Sequence, residues 1–309
     1  MNTSAPAIAI PAARPQQAPW VNSGMLNSGM LNPEMLSSEI QSTLVPPITY
    51  AGARLQAHGQ SMPKDDVGGD LVDLVADGRD VIAYVADVSG HGLRAGVLMG
   101  MIKTAMRYGL LLGQPLTKLL DDLNCVLPGV KQPNMFATLA ALRFDGSSHL
   151  EYISAGHVPL LHYRQRTGEV VRHSMSQFPL GLLAGEGYVS RHVRYEAGDI
   201  FALVTDGVVE VGEEQDADLG CERLAQMLCD LAERPLSDIA EGMHTEVRRH
   251  GTQRDDQTIL LVRAVAEGVA QNDAGRQDLV PNQPEARAEA LETRWRMLLD
   301  DLAAELASD

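Results

Sequence analysis

The sequence predicts an α+β sandwich of antiparallel strands flanked by helices, not a parallel doubly wound sheet. Two observations carry this expectation. Between about residues 49 and 265, eight short apolar segments are separated by Gly, Ser, Asp or Pro, and several lie close enough together to pair as antiparallel hairpins. Helical spacing is confined to separate blocks, so the strict βαβ alternation that a parallel sheet needs is missing.

Residues 1–32 are rich in Ala, Pro, Asn, Ser and Gly and nearly uncharged. They include a tandem pentapeptide, NSGML-NSGML-NPEML, at 22–36. Three copies this short cannot stack into a solenoid, so the segment reads as a disordered leader. The last copy changes character: Asn32 can cap a helix, Pro33 suits its first position, and Leu36, Ile40 and Leu44 then share a face. Pro46-Pro47 stops it, which defines a switch or linker helix within 33–48. The strands expected in the domain that follows are DVIAYVADV, MFATLAALRF, LEYISAGH, PLLHYR, EVVRHS, VSRHVRYE, DIFALVTDG and QTILLVRAV. Helices are expected at about 92–112, 116–126, 220–233 and 236–250. A polar linker at 266–284 leads to an amphipathic segment at 285–309. There Leu291, Trp295, Leu298, Leu299, Leu302 and Leu306 recur at helical spacing, the pattern of a helix packed on the domain or on its twin.

A formal charge of −16 opposes contact with nucleic acid or acidic membrane surfaces, which needs clustered Lys and Arg. Cys125, Cys221 and Cys229 form an odd, widely spaced set, read as small buried hydrophobes in a reducing compartment. The N-terminus lacks a signal-peptide pattern, and no apolar run is long enough to span a bilayer, so the expected location is cytoplasmic.

Four stretches place an aspartate at a strand end: VGGD (Asp70), ADVSGHG (Asp87), VTDGV (Asp206) and RDDQT (Asp255 and Asp256). Each alone reads as a solvated turn. Asp87 and Asp206, however, each follow an apolar run, where an unpaired carboxylate is costly without a cation or donors. Oxygen ligands with no convergent His or Cys favour Mg²⁺ or Mn²⁺ over zinc. Two such ions about 3.5–4 Å apart clamp the attacking and leaving oxygens of a phosphoryl transfer.

These residues resemble the metal-dependent protein phosphatases of the PPM (type 2C) superfamily, in its bacterial SpoIIE/RsbU-like branch. The stretches that carry the resemblance are VGGDLVDLV, ADVSGHGLRAGVLM, FATLAALRFD, YISAGHVPLLHY, PLGLLAG, GDIFALVTDGVVE and DDQTILLV, in the family's order across most of 45–265. The resemblance implies two stacked antiparallel sheets flanked by helices, with a phosphatase domain at 49–265. It implies serine/threonine phosphatase activity toward a signalling phosphoprotein, often a STAS-domain anti-anti-sigma factor in a partner-switching pathway. It also implies two Mn²⁺ or Mg²⁺ ions. Asp70 and Asp87 would be core ligands, Asp87 bridging and the Val88 carbonyl completing one metal. Asp206 and Asp255 would hold the other side, and Asp256, not separable from Asp255, would hydrogen-bond or bind a peripheral ion.

The reaction so implied is in-line attack by a hydroxide bridging the two metals. Gly69 and Gly90 would let the backbone approach. His91 is expected either to assist the leaving group or phosphate or only to brace its turn, and His157 is expected to be structural. Relatives of eukaryotic type grip phosphate with an arginine; the nearest upstream cation here is Lys64. Leu71 replaces the usual aromatic after GGD.

Competing readings are a non-catalytic or partner-activated regulator that keeps the fold, and a kinase- or ATPase-like module. Against the first stands the full aspartate set. Against the second, VSGHGLRAG lacks the P-loop lysine and the full GxGxxG spacing. In relatives the helix ahead of the first strand works as a lever on the metal site, so an activating regulator or sensor protein, or a homodimer through the flanking helices, is expected to set it.

Overall fold

The computed structural model describes residues 33–266 apart from 79, 186 and 212–218. The expected leader, most of the linker at 266–284 and the C-terminal amphipathic segment lie outside the described residues.

Helix α1 (Pro33–Leu44) precedes a two-sheet sandwich. The first sheet comprises β1 (Ile48–Ala51), β2 (Leu55–Met62), β7 (Leu160–Arg164), β8 (Glu169–His173), β10 (Ile200–Val204) and β11 (Gln257–Ala264), in the order β1-β2-β11-β10-β7-β8. The second comprises β3 (Leu71–Asp77), β4 (Asp80–Val88), β5 (Ala137–Phe144), β6 (His149–Ala155) and β9 (Arg191–Arg194), in the order β3-β4-β5-β6-β9. Every strand pairing is antiparallel. Helices α2 (Leu93–Leu111) and α3 (Leu116–Val130) pack on the second sheet, and α5 (Gly220–Leu231) and α6 (Leu236–His250) on the first. The one-turn α4 (Asp206–Val209) follows β10.

The strand side chains show why the layers stack. On β10, Phe201 and Leu203 join the core between the sheets, whereas Ile200, Ala202 and Val204 join the cluster under α5 and α6. On β11, Leu260 and Val262 face inward, and Ile259 and Leu261 face the helices. A strand covered on both faces reads as a continuous apolar run, and each face alternates with period two.

All eight expected strands occur, with ends trimmed by a few residues; MFATLAALRF, for example, pairs only from Ala137. Three strands not among those eight, β1–β3, precede them. Helix α3 runs to Val130, past the expected end near 126, because Pro128 sits within the last turn and removes only one N–H. The three cysteines are free, but their expected burial is corrected: Cys125 is exposed, and Cys221 and Cys229 are half-buried.

Candidate metal centre at one end of the sandwich

Antiparallel order brings the four aspartate stretches to one end of the molecule. Strand β4 ends at Val88 beside the start of β3, in the register Leu71↔Ala86. Strand β10 runs out into Asp206 beside the start of β11, in the register Val204↔Ile259. Asp70 ties the two sheets together at this end. It is 1% exposed, and its Oδ2 accepts hydrogen bonds from Thr205 Oγ1 at 2.8 Å and Thr258 Oγ1 at 2.6 Å. Burial and the Asp87 charge push its proton affinity well above the ordinary carboxylate range, against the pull of the two hydroxyls.

Asp87 is half-buried opposite Thr138 on β5. Its pKa is raised to about 7, first by burial and then by the charges of Asp206, Asp255, Asp256 and Glu210. Asp206 is shifted upward by burial and then by Asp255. Carboxylates that raise one another's proton affinity form a site short of positive charge. Among the described residues, no three His, Cys, Asp or Glu side chains are gathered tightly enough to enclose an ion as they stand. In donor chemistry, oxygen only and uncompensated in charge, the cluster fits hard divalent cations.

The two adjacent aspartates differ. Asp256 is 3% exposed; its Oδ1 accepts the N–H of Lys64 at 2.7 Å, and its Oδ2 accepts those of Gly69 at 2.6 Å and Asp70 at 3.4 Å. Both of its oxygens therefore brace the loop that carries Asp70. Asp255 is exposed, and one of its oxygens accepts the N–H of Asp256 at 2.9 Å.

Two glycines are required by close approach. A Cβ on Gly207 would lie 2.0 Å from the main-chain oxygen of Asp256, and one on Gly69 2.7 Å from that of Val88. Gly69 thus keeps the Val88 carbonyl against the Asp70 loop. Gly90 lies in the exposed turn before α2.

The remaining candidates fall at the rim. His91 Nδ1 lies 2.5 Å from Asp65 Oδ2, an exposed pair joining the turn before α2 to the loop before β3. Lys64 meets the cluster through its main-chain N–H, with its side chain exposed. His157 Nδ1 contacts Thr138 Oγ1 at 2.7 Å, beneath Asp87.

Residues missed in the sequence include Thr205, Thr258, Asp65 and Glu210. The two threonines stand inside VTDG and DDQT, so a hydroxyl beside each aspartate was the available signal. Gln41 was also missed: it is 6% exposed on α1, and its Oε1 accepts the N–H of Gly68 at 3.2 Å.

Residues 77–265 match the family model of Stage II sporulation protein E (SpoIIE), and the chain belongs to that family. The match includes Asp87, Asp206, Asp255 and Asp256, and Asp70 precedes it. The chain is 27% identical over 209 residues to phosphoserine phosphatase RsbU of Bacillus subtilis (strain 168), covering 66% of this chain and 61% of that protein. Among solved structures it resembles the RsbU and RsbW domains of a Mycobacterium tuberculosis protein, with a TM-score of 0.63 and 22% identity over 83% of this chain and 71% of that one. The PP2C domain of SiaA from Pseudomonas aeruginosa gives a TM-score of 0.63 and 23% identity, over 74% of this chain and 93% of that one. The shared fold is that of the PP2C phosphatases.

Proposed function

We propose that this chain is a metal-dependent serine/threonine protein phosphatase whose substrate is a signalling phosphoprotein, a phosphorylated STAS-domain protein of a partner-switching pathway. The observation that supports this most is the convergence of Asp70, Asp87, Asp206 and Asp255, from four separate stretches and both sheets, at one end of a PP2C-type sandwich. The RsbU likeness supports the phosphoserine specificity.

Asp70, Asp87, Asp206, Asp255 and the Val88 carbonyl would hold two Mn²⁺ or Mg²⁺ ions. Such ions, when bound, polarise a phosphoryl oxygen and lower the pKa of water. The protein's part is to place the ligands. Thr205 and Thr258 both donate to one oxygen of Asp70, Oδ2, and Asp256 holds the Lys64–Asp70 loop in register. Asp87, with its raised proton affinity, would hold a cation only in its deprotonated form, so cation binding would strengthen with pH. Gly207 allows the Asp206 turn to lie against the Asp255–Asp256 backbone.

The test is hydrolysis of a phosphorylated STAS-type protein and of a small aryl phosphate with Mn²⁺, with Mg²⁺ and with chelator, for the parent and Asp87→Asn. Metal-restored activity that Asp87→Asn abolishes in a folded protein is the expected result. An inactive protein with every metal, still binding the STAS partner, would point to a regulator instead.

The contact of Gln41 with Gly68 favours a second reading, an enzyme held idle until an activator or sensor protein moves α1. Under this reading the free chain hydrolyses slowly, and the partner raises turnover without supplying residues to the cluster.

A further inference from the structure

Helix α2 carries a stripe of large apolar side chains that nothing among the described residues covers. Leu93, Val97, Met101, Tyr108 and Leu112 are all exposed, Leu93 and Tyr108 to 67% and 63%. At 100° per residue these five fall within an arc of roughly 100°, opposite the buried Met99, Ile102 and Met106. The stripe follows the whole helix, about 28 Å at 1.5 Å per residue. Contiguous apolar patches of this size mark a surface that is covered in use.

The chain contains a segment that matches it. Leu291, Trp295, Leu298, Leu299, Leu302 and Leu306 also fall within roughly 100° on a helical projection, and the 291–306 stripe would run about 24 Å. Charge agrees at one position: Arg94 is exposed at the edge of the stripe, whereas Lys103 and Arg107 face Asp73, and α2 carries no acidic residue. Residues 285–309 carry seven acidic residues against three arginines. Reach agrees as well. The last described strand, β11, ends at Ala264, and the eighteen residues 267–284 extend to about 60 Å at most. A random coil of eighteen residues has an end-to-end distance of about 23 Å, against about 10 Å between stacked sheets plus about 10 Å for a helix layer.

We propose that residues 285–309 fold back as a helix and seat their Leu/Trp face on the exposed stripe of α2 in the same chain. The contact is apolar at its centre, with acidic side chains of the segment within reach of Arg94 at its edge. Helix α1 borders the stripe and leaves it open: its last residue, Leu44, meets α2 at Gly100, next to the Leu93 edge, and at Lys103 beyond it.

Trp20→Phe leaves Trp295 as the sole tryptophan in the full chain, and acrylamide quenching then reports its burial. The expected result is several-fold weaker quenching in the folded chain than in urea. Val97→Glu/Met101→Glu, at exposed positions, should raise quenching most of the way to the urea value with an unchanged circular dichroism spectrum. Leu298→Glu/Leu302→Glu should do the same from the other side of the contact, without touching the sandwich. Quenching in the folded chain equal to that in urea overturns the proposal, as does shielding that survives either double substitution. Shielding lost on dilution together with a dimer also overturns it and assigns the α2 face to a second copy.

Discussion

Gln41 on α1 accepts the main-chain N–H of Gly68, two residues before Asp70, at 3.2 Å. A helix outside the two sheets therefore touches the loop that carries a candidate metal ligand. Lys103 on α2 adds a second tie by donating to the main-chain oxygen of Leu44 at 2.5 Å, at the end of the same helix.

Gln41→Leu keeps the side-chain volume and removes the acceptor. The Gly68 N–H left behind costs about 1–3 kcal/mol if it stays buried and unpaired. Loss of Gln41 Nε2, itself buried without a partner, offsets part of that. Stability should therefore fall by no more than about 1 kcal/mol in urea, while Mn²⁺ binding measured by calorimetry weakens because the Asp70 loop is freed. Unchanged Mn²⁺ affinity would sever the link between α1 and the loop.

Asp73 on β3 is 4% exposed and is held by three donors. Arg107 donates to both of its oxygens at 2.7 Å, and Tyr84 Oη donates at 2.6 Å, with Lys103 Nζ 3.6 Å away. Burial pushes its pKa up, but Arg107, Lys103 and Tyr84 outweigh this and leave it below the ordinary carboxylate value. The stabilisation is accordingly full above the unfolded pKa and is lost as pH falls through the lower folded one. Asp73→Asn should destabilise the fold by about 3 kcal/mol at neutral pH, because it leaves Arg107 and Lys103 without their counter-charge. The urea midpoint should fall at constant slope. A midpoint within error of the parent would refute this account.

The strands legible in the sequence are those with bulky apolar residues on both faces, such as β4 and β10. Strand β2 was not, although it alternates cleanly. Its inward residues are Leu55, Ala57 and Gly59, two of them too small to signal burial, and β11 supplies the bulk opposite them. The candidate ligands were legible because a carboxylate closing an apolar strand is unusual. The division between Asp255 and Asp256 was not, because adjacent identical residues differ only in which main-chain donors the fold presents to them. Gln41 carried no local signal, since its partner is 27 residues away.

Three histidines give the fold an acid-sensitive range. His157, His173 and His244 are each held neutral down to about pH 4, burial being the leading cause in every case. An unfolded histidine protonates near pH 6.5. Between about 6.5 and 4 the unfolded chain therefore binds protons that the native chain refuses, and stability falls as pH falls. His244 on α6 is 1% exposed with both ring nitrogens unpartnered, and the nearby Arg248 and His58 oppose its charge more than Glu241 favours it. His244→Leu should stabilise the protein, more at pH 5 than at pH 8, in paired urea titrations. An equal effect at both values would show that His244 takes up its proton alike in both states.

Asp255 and Asp256 offer the sharpest separation of ligand from brace. Asp255 is exposed, and its known hydrogen bond is to its neighbour's N–H, so Asp255→Asn should change stability by less than about 0.5 kcal/mol. The same change removes a charge from the cluster and should abolish Mn²⁺-dependent hydrolysis. Asp256 is buried and accepts three main-chain N–H groups around Asp70. Asp256→Asn presents an amide where one of those donors points, and should cost about 2 kcal/mol. Its Mn²⁺ requirement should rise, but activity should return at high Mn²⁺, because the ligands themselves remain. If Asp255→Asn proved the more destabilising, or if Asp256→Asn were irretrievably inactive while folded, the roles of the two aspartates would have to be exchanged.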